Sequence, residues 1–126
     1  MPRYREFYEK YKDQMDIFII YQLEAHFVEK NDAGEIVGGW PIVKQYNFPQ
    51  TKTNDERIAM VDRFRDEFGN IPILVDTATN EFSQAYNTWP DGAMIFKNGK
   101  IIYSACVNHD GTRSDWVREI TQIINA

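Results

Sequence analysis

The chain has 126 residues, 43% apolar and 14% aromatic, which excludes a disordered segment and fits one domain spanning residues 1–126. Its net charge of −5 argues against nucleic acid and anionic membrane surfaces as partners. One cysteine, Cys106, excludes an internal disulfide or a CxxC pair and fits a reducing compartment such as the cytoplasm. No apolar run approaches the ~20 residues of a membrane span, and the polar start carries no signal-peptide core.

In chain order, Tyr4, Phe7, Tyr8 and Tyr11 recur at helical spacing and predict a helix with an aromatic face. MDIFIIY, residues 15–21, is a short isoleucine-rich run bounded by charge and predicts a buried strand. Residues 26–52 are irregular and rich in Asn, Asp, Gly and Pro, with a small hairpin turning at Asn31–Gly34. A loop of that length in a compact domain is functional or mobile. Thr53 and Glu56 have capping-box spacing and open a helix whose apolar face is Ile58, Val61, Phe64 and Phe68, with Gly69 as its stop.

IPILV, residues 71–75, predicts a second buried strand. Thr77 or Thr79 caps a short helix carrying Phe82, Ala85 and Tyr86. After Pro90, two apolar runs flank Asn98-Gly99, a strong hairpin signal. A last helix from about Ser114 presents Trp116, Val117, Ile120, Ile123 and Ile124. Helices alternating with apolar strands, closed by a hairpin, predict an α/β fold with a central mixed sheet flanked by helices.

Few residues suggest chemistry when read singly. His26 follows a strand and on its own reads as an exposed loop residue. Glu24 stands out because it adjoins an apolar strand rather than a polar helix face; Tyr21 belongs to the core. His109 lies in the turn NHDGT and reads as solvated. Cys106 ends the hairpin strand, away from any helix N-terminus that would activate it and without a resolving partner, so it reads as a small buried hydrophobe. Asp76 ends a strand and is best explained as a cap for the segment 77–87. His26 and His109 lack ligand spacing, so no metal site and no cofactor are expected.

Several segments in order carry a family resemblance. IIYQLEAH, residues 19–26, resembles the Val-Tyr-Ile-x-Glu-Ala-His segment of iodothyronine deiodinases, and Gly38-Gly39-Trp40 follows where the family has Asp-Gly-Trp. FPQTKTNDER, residues 48–57, is similar to the family's Ile-Pro-Gln-His-x-x-x-Glu-Asp-Arg. VDTATNEFSQAY, residues 75–86, matches Val-Asp-x-x-x-Asn-x-x-x-x-Ala-Tyr without a gap, and Pro90 and NGKIIY fall at the family spacing. The resemblance covers nearly the whole chain and implies a thioredoxin-like fold.

It also implies a thiol- or selenol-dependent oxidoreductase that acts on a small molecule, halogenated or peroxidic, with a thiol reductant. The matched positions Tyr21, Glu24 and His26 then place the substrate and supply a proton, and Trp40, Thr51 and Pro90 border the substrate. Pro90 matches the cis-proline beside thioredoxin-like active sites. Two positions depart: Thr51 replaces a histidine, and Gly92, beside Asp91, replaces an arginine that clamps the substrate's carboxylate, which argues against thyroid hormone.

In the family the selenocysteine or cysteine precedes a segment like Pro2-Arg3-Tyr4. The nucleophile and the first strand of the family are therefore expected upstream of Met1, where a selenocysteine codon read as stop would hide them. The chain as written is then inactive. A non-catalytic thioredoxin-like module used for binding or homodimerisation, through a bare sheet edge and the aromatic helix, is the competing expectation.

Overall fold

A computed structural model describes residues 3–40, 48–106 and 113–126. His109 and its turn, and Pro41 in the long loop, lie outside the described residues. The elements run α1 (Arg3–Tyr11), β1 (Ile19–Tyr21), β2 (Val28–Lys30), β3 (Ile36–Gly39), α2 (Asn54–Phe64), a 3-10 turn (Arg65–Phe68), β4 (Ile73–Val75), α3 (Glu81–Tyr86), β5 (Gly92–Lys97), β6 (Lys100–Cys106) and α4 (Trp116–Ile124). This is a thioredoxin-like α/β arrangement of parallel and antiparallel strands flanked by helices.

Local chemistry explains the turns and caps. Asn98 (φ 52°) and Gly99 (φ 75°) both take the left-handed region, which the two-residue turn between β5 and β6 requires. Asn31 organises the β2–β3 hairpin: its Oδ1 accepts the amides of Ala33 and Glu35, each at 3.0 Å. Thr53 caps α2, its hydroxyl accepting the Glu56 amide at 3.1 Å, while the Glu56 carboxylate turns back to the Lys52 amide at 2.7 Å.

The cap of α3 is neither Thr77 nor Thr79 alone. Asp76 reaches forward from the end of β4, its carboxylate accepting the amides of Thr77 (2.8 Å), Phe82 (2.9 Å) and Ser83 (3.1 Å). A carboxylate meets the positive end of the helix better than a hydroxyl does, and Asp76 is buried while doing so.

β1 pairs with β4 in parallel, Ile19 opposite Ile73 and Tyr21 opposite Val75. β5 pairs with β6 antiparallel. Among the described residues no ladder joins the two pairs. Side chains bridge them at one end instead: the Gln22 amide donates to the carbonyls of Thr88 (3.0 Å) and Pro90 (3.3 Å), and the Trp89 indole donates to the Leu23 carbonyl (2.9 Å). Ile19 donates to Pro72 and Tyr21 accepts from Asp76, both toward β4, so the peptide groups of Ile20 point to the other edge of β1, which pairs with no strand among the described residues.

The open edge corrects the expected burial. The strand of MDIFIIY is shorter than its apolar run and only half-buried; Phe18 is 53% and Leu74 51% exposed. The core that does form sits where α1 and α4 meet the β5–β6 hairpin: Phe7, Tyr11 and Ile120 are buried against Ala93, Ile95, Tyr103 and Trp116. On α2 the buried positions are Arg57 and Met60, and Ile58 of the expected apolar face is exposed.

Candidate active site

The chain leaves β1 at Tyr21 and turns sharply, and the turn is held by one carboxylate. Glu24 Oε2 accepts the Tyr21 hydroxyl at 3.1 Å, and Oε1 accepts the backbone amide of His26 at 3.0 Å. Gln50 holds the same turn from the other side, its amide donating to the Glu24 carbonyl at 2.8 Å. Tyr21, Glu24 and His26, three of the residues expected from the sequence, are thus brought together at the C-terminal end of the parallel pair, where open α/β sheets place their sites.

Glu24 orients His26 through its main chain, not its ring. The ring is oriented by the carbonyl of Trp40, 3.0 Å from Nδ1. A carbonyl only accepts, so Nδ1 carries the proton and Nε2 is the nitrogen left to give or take one. The Trp40 ring stands edge-on to the imidazole, 6.4 Å between centroids, and is 74% exposed.

Burial, followed by the Glu24 carboxylate, pushes the Tyr21 phenol well above its ordinary value. Tyr21 is therefore a neutral hydroxyl at physiological pH, its one proton donated to Glu24.

These three side chains line an apolar, partly open cavity of about 250 Å³ together with Ile19, Phe48, Val61, Phe64, Phe68 and Ile73. That is below the roughly 300–1000 Å³ of drug-sized pockets and suits a group the size of one ring.

The other expected residues lie around this cavity rather than in its lining. Pro90 follows a cis peptide bond, and its carbonyl is bound by Gln22. Thr51 is buried, and its hydroxyl accepts from Arg57 Nε at 3.3 Å. Gly92, the position without the family's arginine, opens β5; beside it the Asp91 carboxylate holds the Arg113 guanidinium. Cys106 is exposed, not the buried hydrophobe expected, because β6 ends there opposite Gly92 at the rim of the hairpin.

Three residues of the site have no obvious sequence signal taken singly. Gln22, Gln50 and Arg57 act through long polar side chains that bond to backbone, and only the motif FPQTKTNDER, read as a unit, marks two of them. Among the described residues no group of three His, Cys, Asp or Glu side chains is placed to hold a metal ion. No helix among them is long and apolar enough to cross a membrane.

A parallel pair and an antiparallel hairpin flanked by helices, with a cis-proline beside the turn that bears Tyr21, Glu24 and His26, define a thioredoxin-like domain. Within that class, the family model for iodothyronine deiodinase matches residues 1–124, and the chain belongs to that family. It is similar to a thyroxine 5-deiodinase of Bos taurus, 26% identical over 119 residues, which is 94% of this chain and 36% of that protein. A type I iodothyronine deiodinase of Xenopus laevis is 25% identical over 107 residues, 85% of this chain and 39% of that protein. The chain therefore spans little more than a third of the length of these relatives.

Proposed function

We propose that this chain is the substrate-positioning and proton-donating part of a thiol- or selenol-dependent reductase that removes halogen from a small aromatic molecule. The observation that supports this most is the Tyr21–Glu24–His26 cluster on the wall of an apolar cavity the size of one ring. The deiodinase family membership supports the reaction class.

The chemistry divides into two steps. A thiolate or selenolate attacks the halogen of an aryl halide; the carbon–halogen bond breaks, the halogen goes to sulfur or selenium, and the ring carbon takes the electron pair. That carbon is protonated from Nε2 of the His26 imidazolium, with Glu24 holding the Tyr21 hydroxyl and the His26 main chain in place. Two external thiols then return the chalcogen to its reduced form, giving a disulfide and hydrogen halide. The aryl halide gains two electrons and the thiols lose two.

The nucleophile is proposed to lie on a segment outside residues 1–126. Cys106 ends β6 opposite Gly92, away from any helix N-terminus that would activate it, and is not taken as the nucleophile. An extended segment running between β1 and β5 would pair with the Ile20 edge and with the edge of β5 that has no partner among the described residues, and end at the N-terminus of α1. A thiolate or selenolate there gains from the helix dipole. Among the described residues the cation beside Pro90, Arg113, is paired with Asp91, so a neutral or phenolic aryl halide fits better than a carboxylate-bearing one.

The test extends the protein by the codons upstream of Met1, keeping any in-frame selenocysteine or cysteine codon. The extended protein is assayed with dithiothreitol and 2,6-diiodophenol for iodide release. Thiol-dependent release that is lost in His26→Ala supports the reading; a folded extended protein that releases no iodide refutes it.

A further inference from the structure

Arg57 is the most buried charged residue among the described ones, with no side-chain surface exposed. No carboxylate stands within ion-pair distance of it among the described residues. Its acceptors are neutral: Thr51 Oγ1 at 3.3 Å from Nε, and the carbonyls of Asp76 at 3.3 Å and Thr77 at 2.6 Å from Nη1. Nη2 finds no acceptor among the described residues. The residue also lies in the first turn of α2, where the helix dipole opposes a positive charge. For packing alone, an aliphatic side chain of similar length avoids the cost of burying this cation. What the guanidinium adds is its fork of donors.

Those donors lead to the site along two routes. On one side, Thr51 donates its amide to Gln50 Oε1 at 3.1 Å, and Gln50 Nε2 donates to the Glu24 carbonyl at 2.8 Å. On the other, Asp76, whose carbonyl Arg57 holds, donates its amide to the Tyr21 carbonyl at 2.8 Å. We infer that Arg57 is the positioning residue of the candidate site: one buried guanidinium fixes the main chain at both Tyr21 and Glu24, and so the spacing of the hydroxyl, carboxylate and imidazole. The inference rests on the proposed role of that cluster, but its structural content does not depend on activity.

The test is amide hydrogen exchange of the 126-residue chain, read residue by residue by NMR. In Arg57→Lys the fork is lost, and in Thr51→Val the route to Gln50 is cut while the carbonyl contacts remain. Both are expected to speed exchange of the His26 amide, which bonds to Glu24, by about tenfold or more, while the amides of β5 and β6 keep their rates. Thr51→Ser restores the hydroxyl and is expected to restore the protection.

A His26 amide unchanged in Thr51→Val overturns the inference. So does a uniform acceleration across the chain in that variant, which would mark a purely global role. Should Arg57→Lys fail to fold, the Thr51 pair decides alone. An extended protein without dehalogenase activity would refute the proposed reaction and leave this result standing.

Discussion

Replacing Glu24 by glutamine removes a charge from the centre of the site while keeping its size. The carboxylate accepts two hydrogen bonds, from the Tyr21 hydroxyl at 3.1 Å and the His26 amide at 3.0 Å. The glutamine side chain has one accepting oxygen. The backbone amide of His26 can only donate, so it takes that oxygen. The Tyr21 hydroxyl can turn and accept from the new NH₂ group.

Both contacts then survive, but as neutral bonds. Charge-assisted bonds are worth about 1.5–3 kcal/mol and neutral ones about 0.5–1.5 kcal/mol, so two such exchanges cost about 2 kcal/mol. The half-buried setting and the relief of desolvating a neutral amide bring the expected loss to about 1–2 kcal/mol. Urea unfolding at pH 7, followed by tryptophan fluorescence, measures it. In the same variant the Tyr21 phenol ionises at lower pH than in the parent. It stays above its ordinary value, because burial is the larger cause and is unchanged. A stability change below about 0.5 kcal/mol, the range of ordinary surface substitutions, with unaltered Tyr21 ionisation, would refute the role given to Glu24.

Asp76→Ala leaves three amides at the start of α3 without their acceptor and is expected to cost about 3 kcal/mol in urea unfolding; a loss under about 1 kcal/mol contradicts the cap. Tyr21→Phe tests the raised phenol ionisation through pH. The native state holds the Tyr21 proton more tightly than the unfolded chain, so the parent loses stability as pH rises above about 10, where the unfolded phenol ionises. The parent's advantage over Tyr21→Phe is therefore expected to shrink between pH 8 and pH 11, and an advantage that grows over that range contradicts the assignment.

Features set by neighbours in sequence were legible there. The capping box at Thr53, the Asn98-Gly99 turn and the Asn31–Gly34 hairpin follow from backbone preferences of one or two residues, whereas the helix expected to run to Gly69 ends at Phe64 and reaches Gly69 as a 3-10 turn. Burial was harder, because it depends on what lies across space. Ile58 follows the helical period yet faces outward, while Arg57, which a hydrophobic pattern assigns to solvent, is buried by acceptors from two distant segments. The strand at Ile19–Tyr21 reads as buried because it is apolar, but it is half-covered, one edge having no partner strand among the described residues. Cys106 is exposed for a related reason, at the last residue of a two-stranded hairpin.

The site divides the same way. Tyr21, Glu24 and His26 are close in sequence, so a tight turn brings them together. The contact of the His26 ring with the Trp40 carbonyl spans a loop whose length gave no hint of it.

The proposed function requires a chalcogen nucleophile on a segment outside residues 1–126, for which this chain positions substrate and protons. Iodide release from 2,6-diiodophenol by the upstream-extended protein, with dithiothreitol as reductant, tests it most directly. Release is expected to depend on the upstream cysteine or selenocysteine and to be abolished in His26→Ala. A folded extended protein that releases no iodide, or releases it equally well without His26, would contradict it.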